Sequence, residues 1–205
     1  MKKEWNKSVS SEVIEKTAKA LKENGMSAII AETKEEAKQK ALDFIPAGSE
    51  VMTMTSVTLD DLGIEKEINE SGKYDSVKKK IFSMDHKSQD GEMRKLGASP
   101  DYSMGSAHAL TEDGKIFIAS NTGSQLPAYA YGAGKVIFII GAQKIVKDTP
   151  AALERIYEYV LPLESERAKK AYGVPGSNVS KLLIINKEIN PERIKVIILK
   201  EEVGF

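Results

Sequence analysis

The stretch "MSAIIAETKEEAKQKALDFIPAGSEVMTMT", residues 26–55, decides the fold class because its pattern changes twice. Residues 26–32 and 50–55 are short apolar runs of the kind found in buried strands. Residues 33–45, between them, have a helical pattern, and Thr33 with the glutamate three residues later forms a capping-box motif. A strand, a helix and a strand joined by short connections predict a parallel sheet with helices on its faces.

The chain continues this α/β pattern on both sides of that stretch. Residues 8–24 predict a helix capped by Ser10 or Ser11. After residue 55, "SVTLDDLG" begins another helix that reaches Ile68, and residues 72–100 are polar and helical. We therefore expect an N-terminal helical segment, residues 1–25, and one domain over residues 26–205.

The second half of the chain is richer in strands. Residues 101–111 and 115–120 flank an Asp-Gly pair, which predicts a hairpin. Residues 135–140 form the most apolar strand, and two final strands meet at a turn formed by Asn190 and Pro191. One α/β domain with a mixed sheet accounts for this order.

A helix between those strands has its own start and stop signals. Thr149 is in position to cap it and Pro150 occupies the first helical position. Pro162 is expected to kink or end the helix, so that residues 163–173 form a separate polar arm.

Composition excludes several classes of function. Thirty Lys and Arg balance thirty Asp and Glu, which argues against a nucleic-acid or anionic-membrane partner. No cysteine is present, so disulfides, thiolate nucleophiles and iron–sulfur ligation are excluded, and two histidines argue against a histidine-rich metal site. From these counts we expect no metal site. No secretory signal or membrane-spanning run is evident, so we expect a cytoplasmic protein.

The first candidate site follows the strand at residues 50–55. Thr55, Ser56 and Thr58 precede or open a helix, where free backbone N–H groups and hydroxyls favour an anion. The alternative is structural: Ser56 or Thr58 caps the helix and Asp61 completes a capping box. Both interpretations remain open from the sequence.

The second candidate site lies between two apolar strands. It is a loop of uncharged hydrogen-bonding residues that also contains a glycine able to adopt a positive φ or to approach a ligand closely. A turn with a helix cap explains it as well as a ligand site does. In an open α/β sheet, ligands bind beyond the carboxyl ends of the strands, where both loops are expected. The residues are Asn121, Thr122, Gly123, Ser124 and Gln125.

Four further residues carry possible chemistry or packing. Glu112 lies at the hairpin turn and is the candidate nucleophile or base. His108 falls within a predicted strand and is expected to be a hydrogen-bonded core or edge residue. Tyr129 and Tyr131 alternate with alanine, which favours core or dimer packing.

Three segments resemble the LUD-domain family of lactate-utilisation proteins. They are "SVTLDDLG", the long run "DYSMGSAHALTEDGKIFIASNTGSQLPAYAYGAGKVIFIIGAQKIV", and the terminal "RIKVIILKEEVGF". The resemblance runs from Met26 to Phe205. The pair Gln125-Leu126 and the absence of cysteine differ from the lactate-utilisation branch, so the chain resembles a cysteine-free branch.

The resemblance implies a fold and a location for a site. The fold would be NagB/RpiA/CoA-transferase-like, with three layers, a mostly parallel central sheet and here an added N-terminal helix. In related enzymes two loops hold a phosphorylated or CoA-linked ligand, and by position these are residues 55–58 and 121–124. Some members of the family are encoded with iron–sulfur proteins that oxidise lactate, which implies such an oxidoreductase as a partner.

Three functions remain open at this point. The first is an accessory or regulatory protein in organic-acid utilisation that binds a small anionic metabolite of phosphate, CoA or carboxylate type. The second is a CoA-transferase-like or sugar-phosphate-isomerase-like enzyme that uses Glu112 within reach of the loop at 120–125. The third is an oligomeric scaffold, such as a homodimer, without a ligand of its own. The sequence names no cofactor.

Overall fold

The computed structural model describes residues 5–205, and within them the chain forms two sheets flanked by helices. The strands are β1 (Ser27–Ala31), β2 (Glu50–Thr53), β3 (Asp75–Ser76), β4 (Tyr102–Gly105), β5 (Ala109–Thr111), β6 (Ile116–Ser120), β7 (Lys135–Gly141), β8 (Ile145–Val146), β9 (Lys181–Ile185) and β10 (Ile194–Leu199). The helices are α1 (Ser11–Glu23), α2 (Lys34–Asp43), α3 (Val57–Asp61), α4 (Ile64–Glu70), α5 (Val77–Ser83), α6 (Asp90–Ala98), α7 (Thr149–Arg155) and α8 (Leu161–Tyr172).

The central sheet has the strand order β1-β10-β7-β4-β2-β3, and each neighbouring pair is parallel. Its middle strands β7 and β10 are largely apolar because both faces of the sheet are covered. In β7, Val136, Phe138 and Ile140 belong to a cluster shared with α1 and the smaller sheet. Ile137 and Ile139 belong to the opposite cluster, shared with α2, α3 and α4. The prediction of a three-layer α/β fold with a mostly parallel central sheet is confirmed.

The smaller sheet has the order β8-β5-β6-β9 and contains the predicted hairpin. β5 and β6 pair antiparallel, with Ala109 opposite Phe117, and Gly114 in the turn has a φ of +81°. Only the end of the predicted strand at residues 101–111 enters the hairpin, since residues 102–105 form β4 of the central sheet. The expectation of one mixed sheet is therefore wrong: β9 and β10, the two final strands, lie in different sheets.

The expected cap of the late helix, and the expectation that its helical run ends at Pro162, are also wrong. Asp148 caps α7, because its side chain accepts a hydrogen bond from the Ala151 N–H, and Thr149 is already helical. Pro162 does not end the helical run. A π-helical turn at Ile156–Val160 leads directly into α8. This turn changes the backbone hydrogen-bonding pattern just before Pro162, which has no N–H to donate.

The early helices begin as predicted. Ser10 caps α1 through the Val13 N–H at 3.4 Å, and Thr33 caps α2 through the Glu36 N–H at 3.2 Å. No helix within residues 5–205 has the length and apolar character needed to cross a bilayer.

Candidate functional site

A cavity of about 1020 Å³ opens at the carboxyl ends of β2, β4 and β7. These three strands are neighbours in the central sheet, so the segments that follow them meet at one edge. Residues 119–125, at the end of β6, form another part of the wall. All of the predicted ligand-binding residues line this cavity: Thr55, Ser56, Thr58, Asn121, Thr122, Gly123, Ser124 and Gln125.

Lys144 follows β7 on the cavity wall, and its side chain links this segment to the segments after β2 and β4. It closes the short 3₁₀ turn Ala142–Lys144 after β7 and is 2% exposed. Its Nζ donates to Thr58 Oγ1 at 2.9 Å, after β2, and to Ser106 Oγ at 3.2 Å, after β4. None of the carboxylates in residues 5–205 forms an ion pair with it. Burial, and to a smaller extent Arg155, lowers the pKa of Lys144 to about 7, while Asp61 opposes the shift.

Tyr129 brings a further polar group to the same place. The residue is 1% exposed, lines the cavity, and donates its hydroxyl proton to no other described residue. The hydroxyl lies against Gly105, the residue before Ser106, where a Cβ would overlap with it. Burial raises the pKa of Tyr129, so the phenol stays protonated and can donate to an acceptor in the cavity. The other predicted packing residue, Tyr131, is 90% exposed.

His108 is a neutral structural residue of the cavity wall. Its Nδ1 accepts a hydrogen bond from the Ala119 N–H at 3.1 Å. Burial, followed by the charges of Lys144 and Arg155, lowers its pKa to about 3. The buried guanidinium of Arg155 donates to the His108 carbonyl oxygen and fixes this segment. His108 therefore carries no charge near neutral pH, as expected of a hydrogen-bonded core or edge residue.

The first predicted loop combines capping with cavity lining. Ser56 caps the five-residue helix α3 through the Leu59 N–H at 3.5 Å. Asp61 closes no capping box and instead accepts from the Gly204 N–H at 3.0 Å. Thr58 is buried against Lys144, and Thr55 is exposed. Of these side chains, Thr58 is the one that the fold buries at the polar centre of the cavity.

The second predicted loop uses much of its polarity internally. Ser120 Oγ accepts from the Gly123 N–H at 2.9 Å, and Thr122 Oγ1 donates to Ser124 Oγ at 3.1 Å. Gln125 Nε2 donates to the Ala119 carbonyl at 3.3 Å, and Asn121 accepts from Ser180 at 3.2 Å. Gly123 has a φ of +86°, which explains the glycine. These bonds hold the loop in shape at the rim of the cavity.

The facing rim carries charges that are already paired. Arg167 forms two hydrogen bonds of 2.7 Å with Glu164, and Lys78 forms an ion pair with Glu65. Burial and a hydrogen bond with Glu65 raise the pKa of Asp60 to about 6. Clusters of three or more potential metal ligands do not occur among residues 5–205.

The LUD-domain family model matches residues 14–199, most of the chain. The chain belongs to the LUD-domain family. No curated protein matches it significantly.

Solved structures similar to this LUD-domain chain share little sequence with it. A DUF162 family protein from Deinococcus radiodurans has a TM-score of 0.54 and 12% identity, with 93% of this chain and 99% of that chain covered. The delta subunit of eIF2B from Chaetomium thermophilum gives a TM-score of 0.35 and 16% identity, covering 58% of this chain and 52% of its own. The beta subunit gives 0.38 and 11%, covering 58% and 44%.

Glu112 is not brought to the cavity of this LUD-domain chain. Its carboxylate accepts from Lys16 of α1 at 2.8 Å, in a small surface depression beside Asn24. The physical reason is the hairpin: the turn and the loop at 120–125 lie at opposite ends of β6. A five-residue strand is about 17 Å long. The expected proximity of Glu112 to that loop does not occur.

Sequence reasoning missed Lys144, Ser106 and Tyr129 as site residues. One local signal was available for the lysine, since "GAQKIV" places it directly after the most apolar strand and before Ile145 and Val146. A lysine flanked by residues of a buried run is seldom accommodated without a specific partner. No local signal marks Ser106 or Tyr129, because their position depends on which strands are neighbours.

Proposed function

We propose that this LUD-domain chain binds a small anionic metabolite of phosphate, CoA or carboxylate type in the cavity beside Lys144. Membership of the family supports a role related to lactate utilisation. In our proposal the chain is an accessory or regulatory cytoplasmic protein of organic-acid utilisation. It would act beside an iron–sulfur oxidoreductase, since a chain without cysteine needs a partner or a bound cofactor to carry electrons.

The observation that carries the proposal is a buried amine whose bonded partners are neutral hydroxyls. Burying an ammonium group without a counter-charge is costly, so such groups lose the proton or acquire a partner. The partners that the fold supplies to Lys144 are Thr58 and Ser106. An anion in the cavity would supply the missing negative charge, and the protonated Tyr129 hydroxyl would donate to it.

The rim cations support a single binding position at the centre. Arg167 and Lys78 already have carboxylate partners, so a ligand gains less from them than from Lys144. The loop residues 55–56 and 121–125 would then contact the outer part of the ligand. A cavity of about 1020 Å³ has room for ligands from a simple organic acid up to a larger metabolite.

The competing functions lack an equivalent observation. A CoA-transferase-like or isomerase-like mechanism would use Glu112, which is paired with Lys16 away from the cavity. Tyr131 at 90% exposed and Tyr157 at 51% exposed are available for a homodimer contact, which is compatible with ligand binding. We therefore keep self-association as an accompanying property and not as the function.

Thermal denaturation of the full chain with L-lactate, pyruvate, inorganic phosphate and CoA tests the proposal. A ligand that binds the native state raises Tm by mass action. We expect at least one of these anions to raise Tm, and Lys144→Met and Tyr129→Phe to abolish that increase. Lys181→Met, which removes an exposed lysine beside the loop at 120–125, is the matched control and should retain it.

The pH dependence of the shift distinguishes this site from surface binding. Because an anion stabilises the ammonium form, affinity should increase as pH falls through the pKa of Lys144 near 7. An increase in Tm that is the same in the wild type and in Lys144→Met would place the ligand elsewhere. If none of the four anions raises Tm, the proposal fails.

A further inference from the structure

The amine of Lys144 is held differently from the lysines that form ion pairs with carboxylates within residues 5–205. Lys16, Lys80 and Lys115 are bound to carboxylates, which favour the ammonium form. Lys144 is bound to two hydroxyls, which can donate or accept. It can therefore keep both hydrogen bonds after losing its proton, and then has a free electron pair inside a cavity.

We propose that Lys144 reacts through this amine with the carbonyl carbon of a small 2-oxo acid and forms an imine in the cavity. The inference rests on the proposed function and deepens it, because it names the chemical class of the anion and the bond that holds it. Schiff-base lysines in proteins are typically desolvated, as Lys144 is at 2% exposed. Its pKa near 7 leaves a substantial unprotonated fraction at neutral pH.

A carboxylate on the ligand follows from the charge of the product. An imine in this position takes up a proton and becomes a buried cation, whose immediate neighbours Thr58 and Ser106 are neutral. A carboxylate on the adjacent carbon of a 2-oxo acid supplies the counter-charge within the same molecule. The Tyr129 hydroxyl, which has no acceptor among the described residues, donates to that carboxylate. A simple ketone would leave the cation unpaired.

The step needs no oxidant or reductant. Nζ forms a bond to the carbonyl carbon while the C=O π bond opens, and a proton passes from nitrogen to oxygen to give a carbinolamine. The C–O bond then breaks, the oxygen leaves as water with a second proton, and the C=N bond forms. The hydroxyls of Thr58 and Ser106, at 2.9 and 3.2 Å from Nζ, are in position to relay these protons.

Reductive trapping with pyruvate and cyanoborohydride on the full chain tests the inference. Hydride adds to the imine carbon and makes the adduct permanent, so intact mass and peptide mapping report its number and place. We expect one adduct per chain, on the peptide containing Lys144, and competition by L-lactate, which has a hydroxyl group in place of the ketone carbonyl. Lys144→Met should abolish this adduct and Lys181→Met should retain it. Thr58→Val, which keeps shape but removes the hydroxyl, should slow trapping at least about tenfold.

Peptide mapping of the wild type keeps the result independent of any folding defect in the variants. Labelling spread over exposed lysines without preference for Lys144, or equal labelling of wild type and Lys144→Met, overturns the inference. If pyruvate raises Tm in a Lys144-dependent manner but no adduct is trapped, the imine is excluded and anion binding stands. If pyruvate gives neither an adduct nor an increase in Tm while phosphate or CoA gives the increase, the 2-oxo acid class is excluded and the proposed function stands. If all four anions fail, both are excluded.

Discussion

Lys144 Nζ donates a 2.9 Å hydrogen bond to Thr58 Oγ1, and this bond joins the ends of two strands that are not adjacent in the sheet. β4 lies between β7 and β2, and Ser106 at its end accepts the second bond from the same amine. One buried side chain thus ties together three segments that follow parallel strands. The position of the candidate site and the stability of this edge of the sheet depend on the same group.

The first prediction concerns the pH dependence of stability at Lys144. Its pKa is about 7 in the folded chain and 10.5 when unperturbed, so between these values the unfolded chain binds more protons. The free energy of unfolding therefore rises with pH across this interval, at up to about 1.4 kcal/mol per pH unit from this group. Below pH 7 the folded chain carries the full cost of a buried ammonium.

Lys144→Met removes that dependence and is the variant to compare. We expect it to be more stable than the wild type by a few kcal/mol near pH 6, and this advantage to decline toward pH 10. Urea denaturation of both proteins across that range measures it. A constant difference between the two proteins at all pH values would show that Lys144 is not perturbed by burial.

The second prediction concerns Gly204, which packs on the Lys144–Thr58 pair. A Cβ at this position would lie 2.5 Å from Thr58 Oγ1 and 3.3 Å from Lys144 Nζ, and φ is +58°. Gly204→Ala should therefore lower the free energy of unfolding through both strain and overlap, by about 2–4 kcal/mol.

Gly72→Ala is the matched control for that substitution. Gly72 has a similar φ of +75°, but nothing lies within 4 Å of a Cβ there, so only the backbone strain remains. We expect a loss of about 1 kcal/mol in urea denaturation. Equal losses at the two glycines would mean that the Lys144–Thr58 pair moves away without cost.

The sequence predicts the two loops that line the cavity, but it does not predict the buried lysine at the centre of the cavity. The sequence predicts Thr58 and Gly123 near one another on the ground that segments following parallel strands share an edge. Both line the cavity, but β6, which precedes Gly123, belongs to the smaller sheet and pairs antiparallel with its neighbours. The role of Lys144 is not predicted, because it depends on β4 pairing with β7 on one side and with β2 on the other, and no local pattern encodes such long-range pairing. The sequence misplaces Glu112, because the five residues of β6 separate the hairpin turn from the loop at 120–125.

The third prediction concerns the close approach of Tyr129 to β4. A Cβ at Gly105 would overlap with the Tyr129 hydroxyl and lie 2.9 Å from its Cζ. Gly105→Ala should lower the free energy of unfolding by several kcal/mol, since a buried ring next to Phe138 has little room to move. Thermal and urea denaturation measure the loss.

Combining that substitution with Tyr129→Phe separates the two overlaps. Removing the hydroxyl relieves the closest contact but leaves the one with the ring carbon, so we expect partial rescue. The double-mutant cycle should therefore give a favourable coupling of about 1 kcal/mol or more. If the two effects simply add, the hydroxyl does not occupy the space beside Gly105.

The fourth prediction concerns acid stability at His108. Its pKa is about 3 in the folded chain and 6.5 when unperturbed, so the unfolded chain binds the extra proton between these values. Stability contributed by the neutral imidazole is present above pH 6.5 and is lost as pH falls toward 3.

His108→Asn keeps an acceptor for the Ala119 N–H but does not titrate. As pH falls, the difference in unfolding free energy between wild type and variant should shrink or reverse. Acid titration of both proteins, followed by circular dichroism, measures this change. Parallel curves would show that His108 keeps an ordinary pKa.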